Sequence, residues 1–354
     1  MSRTSASESA LSLTRTAPPP TTPPAARAPR RTARRLAGLA LSLLLLAVVA
    51  GLSIAVGAKQ LSPAEVWHGL LRPDSPEYAV VHRMRLPRTL LGLVAGAALG
   101  VAGAVTQTLT RNPLADPGLL GINAGASAAV ATATAVLGVA SGDIWYALLG
   151  AAVVTVAVYA VGGGRGATPT RLALAGAALN AVLYSYVSAV MLLDAASLER
   201  LRFWTVGSLA GARDDTVPRV LPFVAVGLLV ALVSARPLDA LALGDDSART
   251  LGARPGAIRA AAIVAVTLLC GAATSACGPL VSVGLLVPHL VRALTGPDLR
   301  WSLPYCAVLA PVLLLAADLT GRVLGRPGEL PVGTVTGVLG GLLFLHLVHR
   351  GARR

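Results

Sequence analysis

Lysine is almost missing from this chain of 354 residues: the single one, Lys59, lies between Ala58 and Gln60. A phosphate-cradling nucleotide loop needs Gly-Lys followed by Ser or Thr, so the standard form of that site is excluded. Cysteine is nearly as scarce. Cys270, Cys277 and Cys306 form no CxxC and pair with no histidine at metal-ligand spacing, so they read as small buried residues rather than a disulfide framework or metal site. No GxSxG or HExxH occurs, and the Gly162–Gly166 run, GGGRG, follows no strand, so it reads as a turn between helices. Asp214-Asp215 and Asp245-Asp246 fall in loops on opposite sides of the layout below and cannot form one acid–base pair.

Charge is also thin, at 13% of residues against 55% apolar, and the charged positions cluster between long apolar runs instead of alternating with them. Such a chain belongs in a bilayer, where a span needs about 20 apolar residues and must satisfy its own backbone hydrogen bonds. The fold class expected is therefore an all-α integral membrane protein with ten transmembrane helices in a closely packed bundle. The spans are read at 36–57, 89–110, 118–139, 145–162, 171–193, 218–235, 258–277, 280–296, 303–318 and 333–349. The eighth follows Gly278-Pro279 and holds Pro288, His289 and Arg292, which also allows a re-entrant or broken segment.

With both termini inside, 19 of the 30 basic residues fall in cytoplasmic segments, the expected bias for retained positive charge. The basic balance therefore reads as topology and anionic-lipid contact, not nucleic-acid binding. Residues 1–35 are rich in Ser, Thr, Ala, Pro and Arg, and read as a disordered cytoplasmic tail ahead of the domain at 36–350. A cleavable secretory signal ending near Val56-Gly57-Ala58 is the competing reading; the long basic region and long first apolar run favour a retained helix.

Two glycine stripes at four-residue spacing, Gly92/Gly96/Gly100 and Gly333/Gly337/Gly341, suit close helix packing in lipid. Arg85 and Arg88, flanking Leu86-Pro87 ahead of the second span, and Arg322, between the ninth and tenth, face outward against the usual bias. Headgroup or water contact and pairing with carboxylates of a soluble docking protein are both open for them. The inner loop 236–259 is long for a bundle connection. In it, Asp245-Asp246-Ser247 can cap a short helix from Ala248 to Leu251, stopped by Gly252, with Leu243 and Leu251 available as apolar anchors.

Several separated segments, in order, resemble the FecCD-type permeases, the membrane subunits of ABC importers for iron-siderophores, haem and cobalamin. They are RLPR (85–88), RNPLADPGLLG (111–121), GSLAG (207–211), LALGDDSARTLG (241–252), GLLVPHLVR (284–292), LLAADLTGR ending at Arg322, and ELPVGTVTGVLGG (329–341). The similarity runs over roughly residues 60 to 350. It implies a ten-helix permease paired with a second one, identical or paralogous, around a central pathway, with two ATPase subunits below and an extracytoplasmic substrate-binding protein above. It implies docking of that binding protein by Arg85, Arg88 and Arg322. It further implies ATPase coupling through Leu243, Gly244, Asp245, Asp246, Ala248, Leu251 and Gly252. Thr170 falls near the family's cytoplasmic gate, with Pro169 where the cobalamin permease has a polar residue.

The expected function is that of a multi-pass permease of the cell membrane, without a cofactor or catalytic chemistry of its own, moving ferric siderophore by alternating access. Haem or cobalamin are the alternative cargoes. Gln107, Asn112, Asn180 and Ser185 are candidate polar contacts along the route. An ion-coupled secondary transporter, the rival from another class, would need ionisable groups near the bilayer midplane, and none is placed there by these spans.

Overall fold

The computed structural model describes residues 28–57, 59–138 and 144–351, and all regular structure among them is helical. The helices are α1 (Ala28–Ala55), α2 (Pro63–Leu71), α3 (Tyr78–Val80), α4 (Leu86–Leu109), α5 (Ile122–Leu137), α6 (Ile144–Val161), α7 (Pro169–Leu193) and α8 (Ala195–Trp204), then α9 (Thr216–Ala242), α10 (Asp245–Thr250), α11 (Pro255–Cys277), α12 (Val283–Thr295), α13 (Leu299–Leu324) and α14 (Val332–Gly351). Seven helical stretches are long and apolar enough to cross a membrane, and α5, α12 and α14 supply shorter apolar ones. Each of the ten expected runs thus coincides with a helix.

Helix α4 is the hub, packing against α9, α11, α12 and α13. Its glycines explain the closeness. A Cβ added at Gly96 would stand 2.6 Å from the Pro311 Cα, and one at Gly100 2.6 Å from the Cys306 carbonyl oxygen, both backbone atoms of α13. Gly103 does the same against Gly284 of α12. Lipid-embedded helices gain from such approach because burial in lipid offers no hydrophobic preference between helix and solvent. The second stripe behaves differently. Gly333 meets the Val206 carbonyl, but Gly337 and Gly341 have nothing within 4 Å, so that face of α14 is open among the described residues.

Helix α12 has 13 residues, about 20 Å at 1.5 Å per residue, too short for a roughly 30 Å core. The backbone before it breaks at Gly278 and Ser282, both at φ +74°. This non-helical stretch is lodged in protein: the Ser208 amide donates to the Cys277 carbonyl at 2.7 Å, and Gly278 lies against the Trp204 carbonyl. Irregular backbone at such depth is tolerated only where protein satisfies it.

Several expected boundaries move. Helix α1 begins at Ala28 and takes in the end of the region read as tail; residues 1–27 lie outside the described residues. The RLPR segment is not a loop: a π-helical turn, Val81–Arg85, runs directly into α4, whose second residue is Pro87. Helix α9 does not stop at residue 235 but continues through Pro237 to Ala242, because Leu238 and Leu241 stay buried beyond the break that Arg236-Pro237 suggested. The inner loop read at 236–259 therefore shrinks to the residues around α10. Likewise α13 runs to Leu324, which puts Asp318 and Arg322 inside the helix.

Replacing Gly96 with leucine should destabilise the bundle by about 1 to 3 kcal/mol through overpacking against Pro311. Gly337→Ala, facing open space, should leave it unchanged. Melting temperatures of the two purified variants in detergent check this contrast.

Candidate functional site

At the end of α9, Leu243 is 70% exposed, Gly244 turns the chain at φ +119°, and α10 follows. No side chain caps α10; Asp245, expected as part of a cap, is instead its first residue. Its carboxylate accepts from the Arg259 guanidinium of α11 on both oxygens at 2.7 Å, and from Arg111, just beyond α4, at 2.9 Å. Arg111 also donates to the Leu241 carbonyl at 2.7 Å. Arg111 holds a left-handed φ of 51°, a conformation that costs a non-glycine residue of order 1 kcal/mol and persists where surroundings enforce it. The hydrogen bonds from Arg259 and then Arg111 hold the Asp245 carboxyl below the usual carboxylate range against opposing burial, so that carboxylate is ionised at neutral pH.

The rest of α10 presents a surface. Ala248 is buried against the bundle, Asp246 pairs only with its neighbour Arg249 at the surface, and Leu251 is 68% exposed before the φ +77° turn at Gly252. Beside it, Leu251, Arg254 and Ile258 line an open groove of about 370 Å³ that Arg236 and Pro237 close from the α9 side.

At the opposite ends of α4 and α13 lie Arg85, Arg88 and Arg322. All three are buried, Arg322 to 1% exposure. Asp318, fully buried, accepts from Arg88 Nε at 3.0 Å and Nη2 at 2.7 Å, and from both Nε and Nη2 of Arg322. Arg88 Nη1 reaches Glu329 at 2.6 Å, so two guanidiniums and two carboxylates neutralise one another. The physical reason is the end of α1, whose last carbonyls have no partner within the helix. Arg85 donates to the Ile54, Ala55 and Lys59 carbonyls at 2.7–2.8 Å, and Arg322 to those of Ser53 and Val56. Cations at a helix C-terminus also meet the negative end of its dipole. These arginines fasten α1 to α4 and α13. The spacing of Asp318 and Arg322, four apart on one helix, was the available sequence signal; Glu329 and the α1 carbonyls carried none.

The candidate polar contacts divide. Gln107 is consumed: its Nε2 donates to the Leu285 carbonyl at 3.0 Å and its Oε1 accepts from Arg292. Asn112 shapes the turn after α4, accepting from the Leu114 amide at 2.9 Å. Thr170, Asn180 and Ser185 all lie on α7, which buries only 11% of its apolar window and leaves Tyr184, Ser185, Tyr186 and Ser188 exposed. Asn180 donates to the Gly118 carbonyl at 3.1 Å, while its Oδ1 is buried without a partner.

The model of the FecCD transport family matches residues 43–350. The ferric enterobactin transport system permease protein FepD of Escherichia coli (strain K12) is 44% identical over 316 residues, covering 88% of this chain and 94% of its own. The Fe(3+)-citrate import system permease protein YfmD of Bacillus subtilis (strain 168) is 37% identical over 92% of this chain and 98% of its own, and the hemin transport system permease protein HmuU of Yersinia pestis is 35% identical over 87% and 94%. Among solved structures, a metal-chelate type ABC transporter in an inward-facing conformation superposes with a TM-score of 0.79 at 25% identity, covering 88% of this chain and 98% of that one.

Asp318→Asn should leave two guanidiniums under-compensated in a buried site, at a cost of about 3 to 5 kcal/mol. Glu329→Gln, at the partly exposed edge, should cost about 1 kcal/mol or less. Thermal unfolding of both variants in detergent checks the order; equal losses would mean that Asp318 does not anchor the network.

Proposed function

The chain belongs to the FecCD transport family, and from that membership we propose that it is the membrane-spanning permease subunit of an ATP-driven ABC importer that carries ferric siderophore inward. The observation that carries the reading is the near full-length similarity to a ferric enterobactin permease, joined by similarity to a ferric citrate permease. Haem is the cargo of another relative of comparable coverage, and the two cargoes separate by which chelate the system imports.

The mechanism follows from stiffness. In this reading both termini lie in the cytoplasm, α10 meets an ATPase subunit through Leu243 and Leu251, and ATP-driven closure of two such subunits displaces α10. Packed helices respond as rigid bodies, so the displacement tilts α4 and its neighbours and alternates which end of the pathway is open. The uncovered faces of α7 and α14 are where a second permease completes the assembly. Thr170, Asn180 and Ser185, all on α7, then border the route between the two copies. A soluble binding protein docks on the opposite side, where Glu329 brings the edge of the Arg88 network to the surface. Arg85, Arg88 and Arg322 serve there as the scaffold under the docking face, their charges already engaged inside.

A large chelate needs no tight site within the spans. Among the described residues no group of histidine, cysteine or carboxylate side chains is placed to hold a bare metal ion, and weak, sparse contacts let cargo pass.

Leu243→Asp with Leu251→Asp should leave the permease in the membrane but uncouple ATP hydrolysis from cargo uptake, because both side chains are exposed and no internal packing is lost. Proteoliposomes holding permease, ATPase and binding protein check it by the ratio of cargo imported to ATP hydrolysed; an unchanged ratio contradicts the coupling assignment.

A further inference from the structure

The covalent joints on either side of α10 are poor transmitters of force. Gly244 at φ +119° has only the Ser247 hydroxyl near its would-be Cβ, at 3.9 Å, and Gly252 at φ +77° has nothing within 4 Å. Both are glycines in backbone regions that other residues avoid, with no side chain to brace them. The non-covalent joints are the reverse. Asp245 is gripped on both carboxylate oxygens by Arg259, whose side chain is 7% exposed, and on one by Arg111. Arg259 stands in the second turn of α11, and Arg111 directly follows α4, the hub of the bundle. Arg111 also holds the Leu241 carbonyl, so one guanidinium spans from the end of α4 to the end of α9.

We propose that Asp245 is the positioning residue through which a push on α10 enters the bundle, by an Arg111–Asp245–Arg259 clamp that ties the short helix to α4 and α11 at once. Without the clamp, α10 remains on the surface and keeps Leu243 and Leu251 for its partner, but swivels on its glycines. A charged cluster suits this task because ion pairs with several hydrogen bonds resist displacement in direction as well as distance. Asp215 serves as the internal comparison: it pairs with Arg219 four residues on, an exposed ion pair at the start of α9.

This inference rests on the coupling role proposed for α10, and the test separates the two. Permease variants are reconstituted with their cognate ATPase and binding protein, and cargo imported per ATP hydrolysed is measured together with the amount of ATPase retained on purification. Asp245→Asn should keep the ATPase bound and cut the ratio about fivefold or more, a typical coupling effect. Asp245→Glu and Asp215→Asn should stay within about twofold of the parent. Arg259→Gln should match Asp245→Asn, and the double variant should be no worse than either, since members of one interaction are not additive. Because the readout is a ratio, lower protein abundance does not mimic the effect, and Arg111→Gln gives a second route to the same loss.

An unchanged ratio in Asp245→Asn, additive losses in the double variant, or loss of bound ATPase would each overturn the clamp. If Leu251→Asp uncouples while Asp245→Asn does not, the clamp alone is wrong. If neither does, the coupling reading of α10 is wrong.

Discussion

Between α4 and its neighbours α12 and α13 there is no room for a side chain, and the rest of the molecule is arranged around that contact. Glycine at 96, 100 and 103 lets backbone touch backbone, so the three helices cannot slide past one another without opening a void that neither lipid nor water fills well. A bundle held this way moves in rigid blocks. That property is what a permease subunit requires: displacement at one end must appear at the other.

Both ends of α4 are accordingly fastened by arginine. On one side Arg85 and Arg88 gather the end of α1, Asp318 of α13 and Glu329, and on the other Arg111 gathers α9, α10 and, through Asp245, α11. The two clusters differ in burial. Asp318 and Arg322 are sealed inside, where loss of a partner is severe, whereas Asp245 sits at the surface of the bundle, where it can move with whatever is attached to α10.

Span positions and family were legible in the chain because apolar run length and ordered motifs are local properties. What escaped were long-range pairings and helix ends. Arg236-Pro237 looks like a boundary by residue type, yet α9 continues because Leu238 and Leu241 still have neighbours to bury against. Arg85, Arg88 and Arg322 looked outward-facing because nothing in their own segments neutralises them, apart from Asp318 one turn before Arg322. The partners of Arg85 and Arg322, carbonyls at the end of α1, are backbone atoms with no signature in residue type, and those of Arg88 come from the end of α13 and from Glu329 beyond it. Arg111 and Asp245 lie 134 positions apart and meet only once the bundle is assembled. The second glycine stripe had the right spacing but faces open space at Gly337 and Gly341, since spacing alone does not say which helix stands opposite.

A conduit worked by a separate motor imports only when that motor turns. This is tested most directly in sealed vesicles containing permease, ATPase and external binding protein, loaded with ATP or with a non-hydrolysable analogue and without ion gradients. Ferric siderophore should accumulate only with hydrolysable ATP and only when all three components are present. Accumulation by the permease alone, driven by an imposed proton or sodium gradient, would contradict it.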